Sequence, residues 1–283
     1  MLITSRRMFL ADATAFAAVS FAVQNAGASP LGLPIGCQTY PVRERIGRDF
    51  PGTLRILSGA GFQMVELCSP VGYADSGFGA LAKYKGAELR RILGDANLTC
   101  VSSHFSMNEL RTKLEDRLAW ASDAGIKQVI VPSLDGPKNP TLDDVKRAAE
   151  EYNGIAERTA KAGMQQGLHN EEFELTKVNG RRTYDVLLEL LDPKLVKFQF
   201  QCSTVSEGYD PAEYFTKYPG RFFSMHVQDW SAKTRKLMPV GQGDLDWTRI
   251  FNAAKTGGVQ NYFVEMELSM MQASVPFLMK LNV

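Results

Sequence analysis

Neither sign of charge is in excess in this sequence. Lys and Arg number 32 and Asp and Glu 31, a formal charge of +1 over 283 residues. With no basic surplus to neutralise a phosphate backbone, the composition argues against nucleic-acid binding. Cysteine is scarce, and Cys37, Cys68, Cys100 and Cys202 form no CxxC pair. That excludes a cysteine zinc cluster or redox motif and leaves buried free thiols as the expected state, with a disulfide as the alternative in an oxidising compartment. No GxGxxG follows a strand-like run and no GxxxxGK[ST] occurs, so the usual nucleotide signatures are missing. No run beyond residue 28 is apolar for the roughly 20 residues of a membrane helix. Histidine occurs only three times. What remains is an ordinary globular balance, 45% apolar and 22% charged, which excludes disordered and collagen-like classes.

The first 28 residues read as an address. Ser5-Arg6-Arg7-Met8-Phe9-Leu10 is a twin-arginine pattern, Ala13 to Val23 is apolar, and Ala26-Gly27-Ala28 supplies small residues before Ser29. Charge, a short apolar core and a small-residue exit in that order mark an export signal. The expected location is periplasmic or secreted. Its removal takes away two Arg and one Asp, so the formal charge falls from +1 to 0.

From residue 34 onward, short β-rich runs alternate with helical patterns. Strands are expected at 35–40, 64–67, 99–103, 128–131, 164–168, 196–200, 222–227 and 262–266. Leu54 and Leu57, then Leu89, Ile92 and Leu93, carry helical spacing. Asp210 before Pro211, and Asp246 before Trp247, read as helix caps. Eight strand-helix units of about 26 to 40 residues predict one α/β domain over 29–283, a (β/α)8 TIM barrel. An open doubly wound sheet is the alternative that the count of eight disfavours.

In such a barrel the strand C-termini carry the active site. His104, His169 and His226 end the third, fifth and seventh strands. Glu66 follows strand two, Glu171, Glu172 and Glu174 strand five, and Asp229 strand seven, while Glu265 and Glu267 belong to strand eight. Glu172 and Glu174 read equally well as a solvated loop. Glu265, in the apolar run Tyr262-Phe263-Val264, must be buried and so needs a partner. Imidazoles and carboxylates from separate strands suit Mn, Mg, Co or Zn. A carboxylate on either side of a sugar can move a proton beside its carbonyl.

These residues also resemble a known family, the xylose isomerase-like TIM barrels, or sugar phosphate isomerase/epimerase family. The likeness rests on Ile35-Gly36-Cys37-Gln38-Thr39-Tyr40-Pro41-Val42-Arg43, on Leu168-His169-Asn170-Glu171-Glu172-Phe173-Glu174, and on His226-Val227-Gln228-Asp229. Pro239 to Trp247 and Phe263-Val264-Glu265 extend it, so that it runs from about residue 34 to 283. The resemblance implies a divalent-metal site of Glu, Asp, His and Glu from strands five to eight. Glu171, or alternatively His169, then His226 and Glu265 take three of those places. Gln201 stands where the family usually has Asp, and its oxygen brings no negative charge.

The expected activity is that of an exported isomerase or epimerase acting on an unphosphorylated saccharide. Glu171 and Glu265 shuttle the proton, Glu171, Gln201, His226 and Glu265 hold the metal, and Glu66, His104, His169 and Asp229 bind the sugar. Two alternatives stand beside it: a lyase or hydrolase of keto-glycosides, and a degenerate sugar-binding barrel that lacks metal because of Gln201.

Overall fold

Eight short parallel strands pair edge to edge until the last meets the first. They are β1 (Gly36–Gln38), β2 (Met64–Cys68), β3 (Thr99–His104), β4 (Gln128–Val131), β5 (Gln165–Leu168), β6 (Val196–Gln201), β7 (Phe222–Val227) and β8 (Asn261–Val264). They form a closed barrel in a computed structural model that describes residues 29–283. The export segment expected over 1–28 lies outside the described residues. Closure runs through Cys37 opposite Val264. The expected (β/α)8 barrel is therefore the observed fold. Among the described residues, no helix is long and apolar enough to cross a membrane.

Among the described residues, a short helix at Arg43–Arg48 is followed by eight that cover the outside: α1 (Phe50–Gly59), α2 (Gly86–Asp95), α3 (Met107–Ala124), α4 (Leu142–Lys161), α5 (Thr183–Leu190), α6 (Pro211–Lys217), α7 (Trp247–Gly257) and α8 (Leu268–Leu278). Asp210 and Asp246 accept backbone N–H bonds at the starts of α6 and α7, as read from the sequence. Ser106 with Glu109, and Thr141 with Asp144, form full capping boxes on α3 and α4. Each cap satisfies helix-start donors that would otherwise lack partners.

The alternation Phe198-Gln199-Phe200-Gln201 on β6 shows how the strands position the site. Phe198 packs on Tyr184 of α5 and Phe200 on Phe215 of α6. With a period of two, that sends Gln199 and Gln201 to the barrel interior. All four cysteines are free and buried, and burial pushes their thiols up in pKa.

Two strand assignments shorten. Strand one ends at Gln38, because Pro41 has no N–H to donate and the chain turns over Tyr40–Val42. Strand eight ends at Val264, so Glu265 lies just beyond it and Glu267 sits at the start of α8. Two small hairpins also decorate the loops, Lys177–Val178 with Arg181–Arg182 and Asp229–Ser231 with Lys236–Met238.

Candidate active site at the barrel mouth

The interior of this barrel is polar where such barrels are commonly filled by Val, Ile and Leu. Glu66 on β2 is fully buried. Its Oε1 accepts from Ser102 Oγ at 2.5 Å and from Gln199 Nε2 at 2.8 Å. Its Oε2 lies 2.6 Å from His226 Nε2 and 3.2 Å from His104 Nε2. Gln199 sets the direction of these bonds. Its amide nitrogen also donates to Ser224 Oγ at 2.9 Å, so its Oε1 accepts from His104 Nε2–H at 2.8 Å.

His226 carries the network up to the mouth. Its Nδ1 lies 3.0 Å from Glu265 Oε2. Both ring nitrogens face carboxylates, so both are donors and the ring is an imidazolium. Burial opposes that charge, but Glu265 and Glu66 raise the pKa to about 10. In return, although burial of Glu66 works the other way, His104 and His226 pull its carboxyl well below the usual carboxylate range. Glu265 is lowered too, by the His226 charge and by hydrogen bonds from His226 and Gln201, although burial works against it. Its Oε2 accepts from Gln201 Nε2 and Gln228 Nε2, both at 3.0 Å.

Glu171 approaches from β5, three strands away. Its side chain is 45% exposed, against 12% for Glu265. Partial burial, and then the Glu265 charge, raise its pKa. The two carboxylates are thus pushed in opposite directions. His169 lies between the walls, fully buried, with its ring centre 4.5 Å from that of His226 and 5.4 Å from that of His104. Neither of its nitrogens has a partner. Burial, and then the charges of His226 and His104, hold its pKa well below the usual imidazole value, so the ring is neutral.

Two residues expected at the sugar are committed elsewhere. Glu66 has no exposed surface, and its oxygens are filled by Ser102, Gln199 and the two histidines. Asp229 is an anchor for the loop after β7. Its Oδ1 accepts from the backbone N–H of Trp230 at 2.8 Å and Leu245 at 3.2 Å. Its Oδ2 accepts from Gly241 N at 2.9 Å, Gly243 N at 3.0 Å and Trp247 Nε1 at 2.8 Å. Gly243 permits this wrapping, since a Cβ there would lie 2.2 Å from Asp229 Oδ1. Glu174, read as equally a solvated loop residue, is fully buried. Gln199, Ser102, Ser224 and Gln228 join the site without a sequence signal of their own, save that the period-two alternation of β6 turns Gln199 inward.

Glu66, His104 and His226 offer one carboxylate oxygen and two imidazole nitrogens that all lie within 4.8 Å of one another. Such a set could hold a divalent ion once the ring protons leave, and it fits zinc and its neighbours. The expected set converges less. Gln201 turns its amide nitrogen to Glu265, and its Oε1 is buried without a partner. Glu171 lies 3.7 Å from His169 and outside the convergent group.

The sequence profile of the xylose isomerase-like TIM barrels matches residues 54–278. No curated protein shows significant sequence similarity to the chain. Among solved structures, the chain is similar to a sugar phosphate isomerase/epimerase from Parabacteroides distasonis, at 24% identity over 92% of this chain and 99% of that one, with a TM-score of 0.77. It is also similar to a D-allulose 3-epimerase from Methylomonas sp., at 12% identity over 89% and 98% of the two chains, with a TM-score of 0.66. The IolI protein, solved with a bound zinc atom, aligns at 12% identity over 87% and 98%, with a TM-score of 0.67. At these identities the structural likenesses concern the fold, while the profile match covers most of the chain. The chain belongs to the xylose isomerase-like TIM barrel family.

Proposed function

We propose that the protein is an exported isomerase or epimerase that moves a proton at the carbon beside the carbonyl of an unphosphorylated saccharide. The observation that carries this reading is the pairing of Glu265, held ionised, with Glu171, whose proton is held more tightly. Two carboxyl groups with pKa values pushed apart are suited to act as base and acid. Glu265 takes the proton from the carbon, and the C–H electron pair passes into an enediolate. Glu171 returns a proton to complete the isomer or epimer. The His226 imidazolium stabilises the negative charge as it develops. His169, neutral and fully buried, backs the His226 ring from within the barrel. When bound in place of the ring protons, a divalent ion at Glu66, His104 and His226 would supply from the barrel interior the positive charge that the imidazolium otherwise gives.

The walls beside Glu171 support an unphosphorylated substrate. Glu171, Glu172 and Glu207 line that groove, and no Lys or Arg does, so a phosphate would meet like charge. Export is supported by the twin-arginine pattern at Ser5–Leu10. The test is incubation in deuterated water with a panel of free aldoses and ketoses, with and without added Mn²⁺. Deuterium should enter at the carbon beside the carbonyl, at a rate lowered about 10²-fold or more in Glu265→Gln. No incorporation from any sugar would rule the reading out.

A further inference from the structure

A groove of about 360 Å³ opens beside Glu171 and Gln201. Its other wall is Ser203, Thr204, Ser206 and Glu207, from the short helical segment Cys202–Glu207 that follows β6. Hydroxyl, amide and carboxylate groups therefore line it. Ser206 and Glu207 also line a second cavity, of about 630 Å³. Trp230, half-buried, lines this second cavity. Each volume falls within the roughly 300–1,000 Å³ of ligand pockets. Both lie on the loops that follow β5, β6 and β7, the face that holds Glu171 and Glu265.

Trp230 is held firmly. Its backbone N–H donates to Asp229 and its carbonyl accepts from Asp244 N at 2.8 Å. Asp229, with both oxygens filled, thereby fixes the backbone that carries an indole at the outer end of a polar path that begins at Glu171. An indole offers a flat apolar face with a polar edge, which suits the C–H face of a sugar ring. Carboxylates and hydroxyls along the path suit its hydroxyl groups.

We infer that the substrate is a reducing oligosaccharide rather than a free monosaccharide. The carbonyl-bearing unit lies at Glu171 and Glu265, and the next unit follows the groove past Ser206 toward Trp230. This rests on the proton-transfer reading for the first unit only. The second unit is recognised by the groove whether or not chemistry follows.

The test compares matched pairs: glucose with maltose and cellobiose, and fructose with maltulose and lactulose. Binding is read by isothermal titration and saturation-transfer NMR, and deuterium exchange is read on the same sugars. At least one disaccharide should bind about tenfold or more tighter than its monosaccharide. Ser206→Trp, an exposed position that fills the shared wall, and Trp230→Ala should each lower that ratio toward one. Circular dichroism confirms that the variants are folded. Selective disaccharide binding without exchange supports the groove and overturns the proton-transfer reading. Exchange with equal affinity for both members of every pair overturns the groove. Weak binding of every sugar overturns it as well.

Discussion

Glu66 Oε2 and His226 Nε2 stand 2.6 Å apart, joining β2 to β7 through the barrel interior although those strands are not neighbours. The contact ties the barrel interior to Glu265 at its mouth, because the same imidazole also reaches that carboxylate. Removing one partner of a buried ion pair leaves the other charge uncompensated, at a cost of about 3–5 kcal/mol. Glu66→Gln keeps the size and loses the charge. It should lower stability in urea by about 3 kcal/mol, the low end of that range, because Glu265 still partners the ring. An unchanged urea midpoint would mean that His226 is not a cation here.

Asp229 predicts a local rather than a global effect. Asp229→Asn puts an amide N–H against backbone donors that face the carboxylate now. Buried donors left unsatisfied cost about 1–3 kcal/mol. Hydrogen exchange should quicken at Gly241, Gly243 and Leu245 while the amides of β2 and β3 keep their protection. Uniform quickening across the barrel would mean that the anchor supports the whole fold instead of one loop.

Some of this was legible along the chain and some was not. The strands at Gln128–Val131 and Phe222–Val227 emerge residue for residue, because each is a short apolar run with clear boundaries. The placement of all three histidines at strand ends follows from the same local pattern. The role of Asp229 does not, because it depends on how one loop folds back on itself, and that of Glu66 does not, because its partners are distant in sequence. Ser102 lies 36 residues from Glu66, Gln199 133 and His226 160. Ser102 is beside Glu66 on the neighbouring strand, but only barrel closure brings Gln199 and His226 to it, and a local pattern carries no record of which strands face each other. Glu174 deceived for the same reason, since its partner Leu134 is 40 residues away on another loop.

Metal binding discriminates between the two ligand sets that share His226. If Zn²⁺ is held by Glu66, His104 and His226, then His104→Gln should weaken its affinity by at least about tenfold in isothermal titration. Glu171→Gln should change it by less than about twofold, the scale of an outer-sphere charge. The reverse pattern would place the ion at the mouth with Glu171 and Glu265. Gln201→Asp should strengthen binding at the mouth by adding the negative charge that glutamine lacks.

Glu174 predicts how stability depends on pH. The side chain is fully buried on the turn that follows Glu171. Its Oε1 accepts from Leu134 N at 3.0 Å, while its Oε2 has no partner. Burial raises its pKa from an ordinary 4.5 to about 8. The folded chain therefore keeps a proton that the unfolded chain has already lost. The stability this gives is fully present below about pH 4.5, falls as pH rises, and is gone above about pH 8. Glu174→Gln keeps the shape and cannot ionise. Relative to the wild type it should gain nothing near pH 4.5 and a few kcal/mol at pH 8, since each pKa unit corresponds to about 1.4 kcal/mol. Urea unfolding of both proteins at the two pH values measures the difference directly. A gain that is the same at both would show that Glu174 does not hold its proton in the fold.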